Sequence, residues 1–365
     1  MQIYKFKLLY ILTSLYLLIF LVSCVQTPSP SENEGISSSN EAAYILCEGL
    51  WYMDNSSLSK YDFESSTVIN NYFSKVNPNL RIGDLANDLV IKGDSGFIAV
   101  TTAKTIEAIN LKTGKSVGRI IIEGNSAPRK ICIINDTLAA FTELYEHKIK
   151  FFNPRTIELL DLEIELGPAP EGIASDGKHL FVANSGYGDY LAHLPKAGTV
   201  SVVDINSMKE VCLIESGKNT VAVYFNKELN KIFAIYNSLP SLADSIGGIV
   251  MISPQTFLIE KEWKSAARSL CFSADGKIGY FIGNNGVSKI YCDGSSNEIE
   301  TVISNENSKD IWYSLAYHSK GNSLWLGNAR NYQINGEIII YDLKNISKAK
   351  ERFDVGINPN TIVFY

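Results

Sequence analysis

Asn87, Arg129, Glu171, Asn219, Arg268, Tyr313 and Asn360 each stand two positions before the apolar anchor of a short β-branched or aromatic run. Brought together, they make a ring of two guanidinium groups, one carboxylate, three amides and one phenol. Such a ring can hydrogen-bond a ligand with many amide or hydroxyl edges. Glu171 with the amide oxygens of Asn87, Asn219 and Asn360 is also a calcium donor set. Arg129 and Arg268 in the same ring work against a second cation. A solvated channel lining without specific function accounts equally for the polarity.

A second set sits in longer loops. Trp51 and Tyr52 fall in residues 50–55, Tyr145 in 143–147, Tyr187 and Tyr190 in 184–193, and Arg330 with Tyr332 in 328–332. Residues 237–244 form a loop of similar length with fewer rings, whereas 102–103 and 284–286 are tight turns. Long loops rich in Trp, Tyr and Arg cost order and usually serve recognition. Ordinary loop packing is the alternative. An aromatic rim above a polar ring suits a bulky ligand with flat faces.

The elements that must position both sets are strands. Residues 170–215 read as four short runs, each bounded by Gly, Pro, Asn or Asp, the signature of antiparallel strands A to D. The strand-A anchor recurs at Leu89, Ile131, Ile173, Val221, Leu270, Leu315 and Ile362, with gaps of 42, 42, 48, 49, 45 and 47 residues. That period is the one expected of propeller blades. A polar column closes strand B at Glu48, Thr101, Thr142, Asn184, Asn237, Asn284 and Asn328. Another closes strand C at Asp62, Asn110, Asn153, Asp204, Ser253 and Asp342, with the sixth blade open between Tyr291 and Asp293. Turn chemistry alone explains both columns.

The first runs, at 43–48, 58–62 and 68–73, are a B, a C and a D without an A, and 358–364 is an A with nothing after it. Joining them completes one blade and removes the open edge. The expected fold is all-β, a seven-bladed β-propeller over residues 42–365 with blade 1 closed by the C-terminal strand. In that fold the starts of strands A and the B–C loops share one face, around the mouth of the channel.

Residues 1–23 carry Lys5, Lys7 and an apolar run from Leu8 to Val22, followed by Cys24. A basic start, an apolar core and a small residue before the cut make a secretory signal. Cys24 at the cut resembles a lipobox, which implies lipidation there and anchoring without spanning. A signal anchor with an incidental Cys is the alternative. Residues 24–41, rich in Ser, Pro and Glu, read as a flexible tether. Glu32 and Glu34 stand several residues beyond the position of known surface-export signals.

The chain has a net charge of −6, and the first 23 residues contribute two Lys and no acid, so the remainder carries −8. With no basic run, nucleic acid is excluded as the expected partner. Cys47, Cys132, Cys212, Cys271 and Cys292 show no metal spacing and read as buried free thiols. The four His (His147, His179, His193 and His318) are scattered, and neither a His-Glu-x-x-His pair nor a Gly-rich phosphate loop occurs. The expectation is a binding protein, not an enzyme, with no metal or cofactor.

The unit resembles the YVTN-type repeat of bacterial seven-bladed propellers, with Leu180-Phe-Val-Ala-Asn184 in the place of the name-giving tetrapeptide. More specifically, the chain is similar to the secreted propeller lipoproteins of gut anaerobes. The likeness rests on residues 44–49, on Gly83-Asp-Leu-Ala-Asn-Asp88, on 170–173 with 183–185, and on Gly356-Ile-Asn-Pro-Asn-Thr-Ile362. One branch of that family captures vitamin B12 at the cell surface and passes it to a TonB-dependent outer-membrane transporter. The resemblance therefore implies an exported outer-membrane lipoprotein that binds cobalamin or another corrinoid. A protein- or glycan-binding scaffold and a calcium-dependent propeller lactonase are the competing readings.

Overall fold

The structure is a computed structural model that describes residues 41–242, 245–306 and 310–365. The signal at 1–23, the lipidation site Cys24 and the tether apart from Glu41 lie outside the described residues. Within Ser39–Tyr365, a single compact unit, the described residues form seven four-stranded antiparallel sheets.

Blade 1 runs β28 (Pro359–Phe364), β1 (Ala42–Cys47), β2 (Ser57–Asp62) and β3 (Thr67–Ile69) from the inside outward. The remaining blades follow in chain order, with inner strands β4 (Ala86–Lys92), β8 (Pro128–Ile133), β12 (Pro170–Ser175), β16 (Thr220–Asn226), β20 (Arg268–Phe272) and β24 (Trp312–His318). Blade 1 is closed as expected: Ile45 lies opposite Ile362 and Ala43 opposite Phe364. An aromatic wedge seals the joint with blade 7, where Tyr61 meets Trp325 edge-on at 5.1 Å and Trp325 meets Phe364 at 5.4 Å. Core residues mesh between neighbouring blades, as where Leu46 and Leu58 meet Leu89, Ile98 and Val100. Gly172 shows how close the inner strands come, since a Cβ there would lie 2.5 Å from the Ala222 Cα of the next blade.

Two local expectations need correction. The outer strand of blade 1 ends at Ile69, and the segment expected to continue it to residue 73 enters a helical turn, α1 (Tyr72–Val76). Tyr72, Phe73 and Val76 are buried. A helical turn puts residues i and i+4 on one side, so this segment fills the core instead of extending an edge. The sixth blade's third strand, open between Tyr291 and Asp293 in the sequence, ends at Tyr291.

The second correction is the register of blade five. A left-handed residue precedes the inner strand at Leu85, Ala169 and Asn358, with φ of 55°, 51° and 56°, and the next such residue is Asn219 with φ 52°. The inward-facing position two residues further on is therefore Asn87, Glu171 and Asn360 in three blades but Val221 in blade five. Val223, not Val221, is the buried anchor there. Asn tolerates the left-handed region better than most residues, which explains its place in the turn.

The strand-end columns work as expected and also stitch blades together. Asp204 Oδ1 accepts from the Ser207 backbone N–H at 2.7 Å, and Asn110 Oδ1 from that of Thr113 at 3.0 Å. Thr101 and Thr142 donate to the carbonyls of Pro128 and Glu171 in the following blades, at 2.7 and 2.8 Å. Cys47 and Cys292 are buried, the other three described cysteines half-buried, and all five are free thiols.

Candidate functional site

Strand A of each blade begins beside the end of strand B, as the Pro170–Asn184 pairing shows. The inner-strand starts and the B–C loops therefore meet at one face, where a cavity of about 750 Å³ opens. Its wall holds six of the seven expected ring residues: Asn87, Arg129, Glu171, Arg268, Tyr313 and Asn360. The seventh position is Val221, and Asn219 is not on the wall. The ring is thus polar on six sides with one apolar face.

The polar groups are tied in sequence around the ring. Arg129 donates to the Asn87 Oδ1 and, at 3.3 Å, to Glu171 Oε2. Asn87 Nδ2 is held by the Leu85 carbonyl at 2.6 Å and the Thr101 hydroxyl at 3.0 Å. Burial works against the Arg129 charge, but Glu171 and Glu48 outweigh it and raise its pKa above the ordinary value. The calcium donor set is thus interrupted, because a guanidinium already bridges Glu171 and Asn87.

Glu48, whose place in the strand-B column calls only for turn chemistry, lines the cavity and accepts the Tyr313 hydroxyl at 2.5 Å. Burial and the Glu48 charge push the Tyr313 phenol far above its usual range, so it stays a neutral donor. The signal was present in the sequence: Glu48 is the one long acid in a column otherwise of Asn and Thr. Lys130 is a second missed residue, donating to the Asn87 carbonyl at 2.7 Å and pairing with Asp88 at 3.3 Å.

On the other side, the Arg268 guanidinium lies 5.5 Å over the Tyr313 ring, and Tyr332 meets that ring edge-on at 5.8 Å. Tyr332 is the only rim residue expected from the loops that lines this cavity. Asn360 Nδ2 donates to the Ala86 carbonyl at 2.8 Å, while its Oδ1 is buried without a partner among the described residues.

The other rim residues stand above the wall. Trp51 and Tyr52 stack at 5.6 Å and remain 58% and 79% exposed. Tyr187 and Tyr190 meet edge-on at 6.5 Å, also exposed. Tyr145 belongs with them: burial first, then the neighbouring Tyr187 and Tyr52 phenols, raise its pKa while Arg129 lowers it. Loop packing accounts for Leu144 and Leu191, which cluster with Ala127 and Ala169, but leaves these rings in solvent. Arg330 serves its own blade, pairing with Asp354 at 2.6 Å and donating to the Asn335 carbonyl at 3.1 Å.

Gly114-Lys-Ser-Val-Gly118 spells the Gly-x-Ser-x-Gly pattern. Ser116 begins a strand in a hairpin, with its backbone N–H given to Asn77 Oδ1 at 3.0 Å. A nucleophile elbow needs a strand-to-helix turn, and this segment is not one. Among the described residues, no group of three or more His, Cys, Asp or Glu is placed to hold a metal ion.

No family model matches the chain, and no curated protein matches it. Solved structures do. A quinonprotein alcohol dehydrogenase-like protein from Bacteroides thetaiotaomicron aligns at 14% identity over 90% of this chain and 78% of that one, with a TM-score of 0.66. Hydrazine synthase from Kuenenia stuttgartiensis aligns at 17% identity over 69% of this chain and 74% of that one, with a TM-score of 0.57. At such identities the likeness is one of fold. What the chain shares with these proteins is the β-propeller scaffold.

Proposed function

We propose that the mouth of this propeller captures a bulky, amide-fringed nutrient, a corrinoid such as cobalamin. In this reading the protein is a non-enzymatic, outer-membrane-anchored lipoprotein, lipidated at Cys24. It hands its ligand to a TonB-dependent transporter. The observation that carries the reading is the pairing of a wall of amide and guanidinium groups with exposed rings above it, around about 750 Å³ of open cavity. That volume suits a small-molecule site, for which roughly 300–1,000 Å³ is usual. A corrin ring offers a flat face to Trp51, Tyr145 and Tyr187, and its amide fringe matches Asn87, Arg129 and Asn360.

A second feature favours a partner protein at the same face. The B–C loops also expose Met53, Leu242, Ile246 and Ile334, an apolar collar of the kind that marks contact surfaces. Calorimetric titration of the purified protein with cobalamin tests the capture reading, with Trp51→Ala alongside. Binding that weakens in the variant supports it. No heat and no melting shift at micromolar cobalamin would remove it, and leave the partner-protein reading.

A further inference from the structure

Among the described residues, the cavity wall holds three cations, and two are engaged. Arg129 is bound to Asn87 and Glu171, and Lys130 to Asn87 and Asp88. Arg268 is different. It is exposed, it rests on the face of Tyr313, and among the described residues it has no carboxylate partner. The carboxylates on the wall are already engaged: Glu48 by Tyr313, Glu171 by Arg129, and Asp310 by a partner of its own.

From this we infer that Arg268 is the receptor for a single anionic group on the ligand, a phosphate ester or a carboxylate attached to a flat body. The inference rests on the capture reading above and adds the charge of what is captured. A guanidinium is a planar fork that matches two oxygens of a phosphate or carboxylate. The Tyr313 ring lies 5.5 Å beneath that fork, and the Tyr313–Glu48 hydrogen bond holds the ring in place. Val221 offers the apolar wall against which the ligand body can lie.

Cobalamin and cobinamide separate the terms, because they share the corrin ring and its amides but only cobalamin carries a phosphodiester. Both are titrated against the native protein, Arg268→Gln and Arg268→Lys. The expected result is a loss of about tenfold or more in cobalamin affinity for Arg268→Gln, the size of a charge-assisted hydrogen bond. Cobinamide binding stays unchanged, which also shows that the variant is folded, and Arg268→Lys recovers part of the loss. Equal effects on the two ligands, or none on cobalamin, overturn the inference while the capture reading stands.

If the native protein binds neither corrinoid, the capture reading falls and the inference is decided with 1-naphthyl phosphate against 1-naphthol. Binding of the phosphate alone, lost in Arg268→Gln, supports it. Equal or absent binding of the pair overturns it.

Discussion

The two faces of the propeller are built from the same strands and spend their polar groups in opposite ways. On the face away from the mouth, Asp62, Asn110, Asn153 and Asp204 bond the backbone two or three residues ahead and satisfy their own turns. At the mouth, polar groups reach between blades, as Arg129 does to Asn87 and Glu171, and aromatic rings stay in water. One end repeats a local solution that any blade needs. The other departs from the repeat blade by blade, and those departures supply specificity.

The contrast can be broken most strongly at Arg129. Its replacement by Ala removes the cation that Glu171 and Glu48 share, and loss of a charge-assisted bond at this half-buried pair should cost about 1.5–3 kcal/mol. Denaturant unfolding should register that loss, together with loss of ligand. A fully stable Arg129→Ala would mean that the ring is not an interdependent network. Trp51→Ala should do the reverse. It should move stability by less than about 0.5 kcal/mol, as exposed sites do, yet weaken cobalamin binding by roughly tenfold, the scale of an interface hot spot.

At the far face, Asp204→Ala removes two bonds of one turn, at 2.7 Å each. It should lower the melting temperature slightly, through that one turn, and leave ligand binding untouched. A binding defect there would contradict the division of labour. The smallest effect expected is one of pH. His318 is buried beside Glu41 at 3.3 Å, and desolvation lowers its pKa despite that carboxylate. The unfolded chain then takes up the proton more readily, so stability should decline as pH falls through about 6.5. Thermal melts of the native protein and His318→Gln across that range should converge at low pH.

Blade number and ring closure were legible because both follow from repetition, and the unmatched 43–73 and 358–364 segments fit together in only one way. Blade five's register was not. Val221 and Val223 are two apart, and a strand presents residues i and i+2 to the same side. Hydrophobic alternation therefore cannot tell the cavity wall from the anchor. The deciding fact is the left-handed backbone at Asn219, and an Asn looks equally at home in a polar ring or a turn. Glu48 stands out by type in its column, but what it does there is not legible. Its role depends on Tyr313, 265 residues away, and no local pattern carries that pairing. Arg330 looked like a rim contact because its partners, Asp354 and Asn335, lie on strands whose approach only the fold reveals.

The joint in blade 1 also bears on how the molecule is made. Its innermost strand is made after every other strand of the ring, while the strands it must cover are made before them. Until residues 359–364 emerge, β1 lacks a partner along one side, and six finished blades surround an incomplete one. Pairing ends so distant in sequence comes late and slowly. A chain arrested before residue 359 therefore carries an unprotected strand edge, and a cavity wall without Asn360.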